Sequence, residues 1–264
     1  MTPVTHSMPT PPPITPRPHD LPPVGDPDAD MGAHARRVLR LARLAALGTL
    51  DAGSGYPFVS SAPIATDMSG APLLRLNRIA LHTRNLLADQ RISLMVQAHG
   101  DDGAPLPGVR LTLTGHAAPV EDPDALRRYL ARHPKMMVTT TLDSFDLWRV
   151  TPNGIDLLGG TRLAPELTGA DLLTDLAGAE ALVAAEPELL RRLNADHAAT
   201  LRAHALRQGG EVGGWRAIGL DPEGIDLRFG HALARISLPR RVTDPAALLE
   251  ALAMMPLPEP VGMR

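Results

Sequence analysis

The chain has no cysteine in its 264 residues. Disulfide frameworks, thiolate metal centres and cysteine nucleophiles are therefore excluded together. Aromatic residues make up only 3%. Tyr56, Phe58, Tyr129, Phe145, Trp148, Trp215 and Phe229 are all there are, so aliphatic side chains, arginine planes or backbone would have to line most of the faces of a planar ligand. No run approaches the ~18 apolar residues that cross a membrane, and the N-terminus lacks the apolar centre of a signal peptide. The expectation is a cytoplasmic protein with no membrane partner. The formal net charge of -3 lacks the excess of basic residues that marks a general nucleic-acid binder. Also missing are a nucleophile elbow, a P-loop, a dinucleotide glycine fingerprint and a zincin helix.

Proline, by contrast, is plentiful. Residues 1–30 include the run Pro11, Pro12, Pro13 and almost no large apolar residue. Such a segment buries too little surface to offset its ordering entropy, and reads as a disordered leader. A helix is expected near Ala33–Arg43, with Ala35, Val38, Leu39 and Ala42 on one face. Arg36, Arg37, Arg40 and Arg43 lie off that stripe and read as a solvated face, with phosphate binding as the alternative. Strands follow at Leu44–Leu50, Phe58–Thr66 and Pro72–Asn77, then a short helix at Leu81–Asp89. Two period-2 stretches come next, over residues 92–97 and 109–114, separated by a loop at 98–108. Asp122 and Pro123 open a helix that Pro134 ends. Strands at Phe145–Val150 and Ile155–Leu158 flank an expected turn, Thr151-Pro152-Asn153-Gly154. Many short strands with few helices point to a small barrel. After about residue 165 the pattern changes to helices near Leu172–Ala185 and Pro187–Arg207, a three-strand meander, and a last helix opened by Asp244-Pro245.

Four segments can carry chemistry, and each also has a plain structural reading. His82, Thr83, Arg84 and Asn85 stand at the start of a short helix, where donors and the helix dipole favour an anion; ordinary capping is the alternative. Arg110, Thr112 and Thr114 project from one side of a strand, lining a ligand cleft or facing solvent. Gly159, Gly160 and Arg162 follow a strand, where paired glycines allow close approach and Arg162 can pair with a carboxylate or phosphate; a boundary turn would look the same. Asn194-Ala195-Asp196-His197 lies on a long helix whose apolar face would carry Leu190, Leu193, His197, Leu201 and His204. Two hydrogen-bonded interface histidines are the favoured reading there. Seven helical residues put them about 10 Å apart, too far to share a metal ion.

With these residues assembled, Ala45–Gly160 resembles the pyridoxamine-5′-phosphate-oxidase-like, FMN-binding split barrels. Leu81–Leu86 with Ala88–Leu94, then Leu111–Gly115, is similar to the haem-utilisation (HugZ-like) branch. Leu193–Ala198, Gly219–Gly224 and Pro239–Pro245 resemble the small C-terminal domain that accompanies that branch. The resemblance implies FMN at a dimer interface in the oxidases, or haem binding and degradation in the haem branch. A plant relative binds neither and regulates tetrapyrrole synthesis through protein contacts. Where the oxidases hold the flavin phosphate with Ser-Arg-Lys, this chain has Ala80-Leu81-His82. The branch's Gly-Gly-Phe-Gly-Arg stretch reads Gly159-Gly160-Thr161-Arg162, and no histidine follows His231 to act as a C-terminal iron ligand.

The expectation is an α+β protein: a leader at 1–30, a split β-barrel at 31–164 and a small α+β domain at 165–258. It would form a homodimer and bind a small anionic planar ligand, haem first and FMN as the alternative. The candidate ligand-binding residues are His82, Thr83, Arg84, Asn85, Arg110, Thr112, Gly159, Gly160 and Arg162, with no catalytic or metal-ligating residue indicated. The functional readings are haem binding with oxidative degradation, an FMN-dependent oxidoreductase, and a cofactor-free regulator.

Overall fold

The computed structural model describes residues 30–99, 105–141, 144–159, 162–163 and 167–256. The proposed leader therefore lies outside the described residues, apart from Asp30. That residue belongs to the fold: its carboxylate accepts from the Ala33 amide at 2.8 Å and caps helix α1, Met31–Leu41.

Six strands close into an antiparallel barrel. They are β1 (Leu44–Leu50), β2 (Pro57–Thr66), β3 (Pro72–Asn77), β4 (Arg91–His99), β5 (Pro105–Pro119) and β6 (Phe145–Gly159). Their order is β3-β2-β1-β4-β5-β6, and β3 pairs back onto β6. A two-residue strand, β7 (Arg162–Leu163), extends the sheet beside β6. Alternation decides which side chains fill the barrel. Leu47, Leu94, Val96, Leu111, Leu113 and Leu157 point inward and are buried. The apolar stripe of α1 packs into the same core at one end of β1. At the other end sits α2 (Leu81–Ala88), which inserts Leu86. Helix α3 (Pro123–Arg132) is opened by Asp122, whose carboxylate accepts from two helix amides at 3.0 Å. It covers the outside of β2, β3 and the first half of β6, with Ala125 and Tyr129 against Ala65, Leu73 and Leu147.

The expected turn at 151–154 is not a turn. β6 runs unbroken from Phe145 to Gly159, and Pro152-Asn153-Gly154 forms a bulge in it. Thr114 pairs with Gly154 and Gly115 with Pro152, which leaves Asn153 unpaired. Proline is tolerated at such a point because the ladder is already interrupted. Gly115 is required opposite it: a Cβ there would lie 2.1 Å from the Thr151 carbonyl oxygen. The expected 98–108 loop is shorter too, since β4 reaches His99 and β5 begins at Pro105.

The second half has its own core around a three-strand meander: β8 (Arg216–Asp221), β9 (Gly224–Phe229) and β10 (Ala232–Ser237). The helix boundaries here differ from expectation. Gly169–Leu172 forms one 3-10 turn closed by Thr168 and Asp171. Helix α4 starts only at Glu180, after Gly178, whose φ of 72° no helix accepts. It continues through Pro187 to Asp196. Helix α5 (Ala198–Arg207) then begins anew, so His197 caps a junction instead of lying within one helix. His204 is buried, but its Nε2 has no hydrogen-bond partner among the described residues, unlike the bonded histidine expected. Asn194 holds the strand edge: its side-chain oxygen accepts from the Ala217 amide at 2.8 Å and its nitrogen donates to the Ala217 carbonyl at 2.9 Å. The last helix, α6 (Pro245–Met254), is capped by Asp244 as Asp122 caps α3.

The largest departure concerns the arginines of α1. They are not a solvated face. Arg40 is 1% exposed; it donates to the Met68 carbonyl at 2.9 Å and faces Asp221 at 3.1 Å. Arg36 pairs with Glu223, and Arg37 donates to the Arg235 carbonyl and to Gln208. Arg128 and Arg132 of α3 enter the same layer. Arg128 pairs with Glu186, and Arg132 donates to the Ala42 carbonyl at 2.9 Å. Asp226 stands among them, 2.8 Å from Arg235 and 3.9 Å from each of Arg40, Arg128 and Arg132. The barrel and the second sheet thus meet across buried, paired charge.

Candidate functional site

The eight candidate residues that are described fall into two groups. The first is on α2. Thr83 is 1% exposed, and its hydroxyl donates to the Asn77 carbonyl at 2.7 Å. Asn85 is equally buried. Its amide donates to the Thr49 hydroxyl at 3.1 Å and accepts from the Ala52 amide at 3.3 Å, tying α2 to β1 and the turn after it. Both polar side chains therefore face inward and hold the helix. His82 is half-buried with Nδ1 3.1 Å from the Ser60 hydroxyl, and burial lowers its pKa. Arg84 is exposed, and its side chain makes no hydrogen bond or ion pair among the described residues. It acts on Asp51, whose carboxyl Ser54 holds below the usual range by side-chain and backbone bonds, with Arg84 adding to the effect.

The second group is on the outward face of the barrel. Here Ala46 and Gly48 of β1, Ser93 and Met95 of β4, and Thr112 and Thr114 of β5 lie side by side and half-buried. Arg110 is exposed at one end of this face, with Gln97 on one side and Leu158 on the other. It has no ion partner among the described residues. Leu158 pairs with Leu163 and Gly159 with Arg162, so Gly159 and the Arg162 backbone stand one and two strands from Arg110. Gly160 lies outside the described residues. The register separates the groups. Arg84 stands by Asp51, just past the end of β1 that is level with the start of β4, whereas Arg110 is level with Gln97, six residues along. That is about 20 Å of strand, so one subunit does not bring the two guanidinia onto one anionic group. Sequence reasoning missed His116, half-buried further along β5, whose Nδ1 lies 3.1 Å from the amide nitrogen of the bulged Asn153. The signal was the misread turn that carries Asn153.

A six-stranded closed antiparallel barrel with helices and a second small sheet defines a split-barrel protein of the pyridoxamine-5′-phosphate-oxidase-like fold. Residues 31–159 match the family model of pyridoxamine 5'-phosphate oxidase. The chain is similar to the solved structure of Atu2129, a protein of unknown function from Agrobacterium tumefaciens. The two are 36% identical, with a TM-score of 0.76, over 89% of this chain and 100% of that one. It is also 32% identical over 148 residues to the chloroplastic heme oxygenase HOZ of Arabidopsis thaliana. That match takes in 50% of this chain and 45% of the plant protein, so the chain spans about half the length of the curated relative it matches. Among the described residues no helix is long and apolar enough to cross a membrane, and no cluster of three metal-ligating side chains occurs.

The fold family implies FMN, and residues 78–85 fit its phosphate poorly. Ala80 is the N-cap of α2 and offers no side-chain bond, and Leu81 is apolar. Arg78 is bound to Asp146 at 2.6 Å, and the Thr83 hydroxyl is committed to Asn77. Arg84 and the Ser60-bound His82 are what remain. The broad outward face of mostly small side chains, with a guanidinium at its end that has no ion partner among the described residues, suits a flat ligand carrying carboxylates better.

Proposed function

We propose that this chain is a haem-binding protein of the haem-utilisation type, a homodimer that degrades its ligand oxidatively. In this reading residues 31–164 form the ligand-binding domain and residues 165–258 the companion domain fixed behind it. The observation that carries the reading is the contrast between the two groups above. The flavin-phosphate position is stripped to Ala80 and Leu81, while Arg110 has no ion partner among the described residues and stands beside a face of mostly small residues. The likeness to a plant heme oxygenase supports the same ligand. Haem would itself supply the iron that activates oxygen. The part of the chain is to bind and orient: Arg110 and Arg162 take the propionates, Thr112 adds a hydroxyl, and Gly159 and Gly160 let the ligand approach the backbone. Arg84, with His82 on the same helix, acts on the same ligand from a second copy, because about 20 Å of strand separates Arg84 from Arg110 within one subunit. An FMN-dependent oxidoreductase is the second reading, favoured by the family match over residues 31–159.

A charge-assisted hydrogen bond contributes about 1.5–3 kcal/mol. Arg110→Ala and Arg84→Ala are therefore each expected to weaken haem binding by roughly tenfold or more, with circular dichroism unchanged because both side chains are exposed. Optical titration of haem into the three proteins checks this. If both variants bind haem as the wild type does, the assignment of these arginines is wrong.

A further inference from the structure

Around β8, β9 and the turn after β9, positive charge collects with no carboxylate opposing it among the described residues. Arg228 of β9 stands directly across from Arg216 of β8, a like-charge pairing that destabilises a sheet. Its guanidinium is held in place: Nε donates to the Ala131 carbonyl at 3.0 Å and Nη1 to the Gly230 carbonyl at 3.1 Å. Burial, then Arg216 and Arg43, pull its pKa below the ordinary arginine value. The next turn brings His231 between two further cations. Its Nδ1 lies 2.7 Å from Arg43 Nη2, and its Nε2 lies 3.4 Å from Lys135 Nζ. A neutral imidazole has one accepting nitrogen and one N–H, and an imidazolium has none to accept with. At most one of the two cations is served, so the group has more donors than acceptors.

Among the described residues none of Arg43, Lys135, Arg216 and Arg228 has a carboxylate within ion-pairing distance. The nearby buried arginines contrast with this: Arg40, Arg128, Arg132 and Arg235 each face at least one carboxylate. Four unopposed cations carried by separate elements, one of them fixed by two backbone carbonyls, are what a small polyvalent oxyanion requires, since guanidinium forks and an ammonium reach its oxygens from several sides. We propose that Arg43, Lys135, Arg216, Arg228 and His231 form a binding site for a small anion of the di- or oligophosphate class. The site shares no residue with the haem face and stands independently of that reading.

The test is calorimetric titration of inorganic pyrophosphate into the full chain at low salt, beside Arg43→Gln and Lys135→Gln. Both side chains are exposed, so the variants are expected to fold, and relieved repulsion should leave the unliganded melting temperature equal or higher. The expected result is saturable binding that weakens about tenfold or more in each variant and falls steeply as salt is added. Absence of pyrophosphate binding at millimolar concentration overturns the proposal, as does unchanged affinity in both variants. Orthophosphate binding as tightly as pyrophosphate overturns the polyvalent assignment. Binding of poly-glutamate without any pyrophosphate binding overturns it in favour of an acidic protein partner.

Discussion

Asp226→Asn is expected to lower stability by about 3–5 kcal/mol, the usual cost of removing one partner from a buried ion cluster. For a chain of this size that is a fall in melting temperature on the order of 10 °C. Asp226 is 3% exposed and faces Arg235, Arg40, Arg128 and Arg132. Burial alone would raise its pKa, but Arg235, Arg40, Arg132 and Arg128 together bring it down to about 2. Without that carboxylate, arginines from α1, α3 and β10 face one another with only Asp221 and Glu186 left to oppose them. The pH dependence follows from the sign. A folded pKa below the unfolded value of 3.8 means the contribution is complete above about pH 4 and is lost as pH falls towards 2. Thermal unfolding of both proteins between pH 7 and pH 2 should show a gap that narrows at the acid end. A variant that unfolds like the wild type at pH 7 would mean that the charge layer does not hold the two halves together.

His133 sets a second, milder acid limit. It is 9% exposed, and its Nε2 donates to the Ile64 carbonyl at 2.8 Å, which fixes a proton on Nε2. Burial lowers its pKa to about 4, with Arg132 and Arg43 acting in the same direction and the Ile64 bond partly opposing. Here the unfolded chain takes up a proton before the folded one. Stability is therefore complete above about pH 6.5 and declines as pH falls to 4, by up to ~3 kcal/mol. His133→Gln, which can keep a donor towards Ile64, should unfold with a flatter dependence between pH 6.5 and 4. If wild type and variant lose stability in parallel over that range, some other group is responsible.

Much of the barrel was legible because strand alternation and turn residues agree with each other. Leu44–Leu50 and Pro72–Asn77 occur with the bounds that their apolar patterns and flanking Gly, Pro and Asp residues imply. The caps at Asp122 and Asp244 were legible for the same reason, since one carboxylate serves the amides just beyond it. Pro152-Asn153-Gly154 misled because the residues that make a turn also make a bulge, and the choice between them lies with Gly115, close in space but 37 residues earlier. The arginines of α1 misled because a polar helix face looks the same whether it meets water or buried carboxylates; Asp221 and Asp226, which settle it, lie some 180 residues away. The candidate site was only partly legible. A helix start rich in donors suggested Thr83 and Asn85 as ligand contacts, but the same hydroxyl and amide close the barrel end. Register, which sequence does not supply, set Arg84 and Arg110 about 20 Å apart.

One optical titration decides which ligand the barrel face takes. Haem and FMN are added separately to the full wild-type chain, and the Soret band and the flavin absorbance are followed to saturation. The account predicts a shifted, saturable Soret band and tighter binding of haem than of FMN. FMN binding more tightly than haem would contradict it and make the chain a flavin protein. Binding of neither ligand would contradict it in favour of a regulator that works through protein contacts.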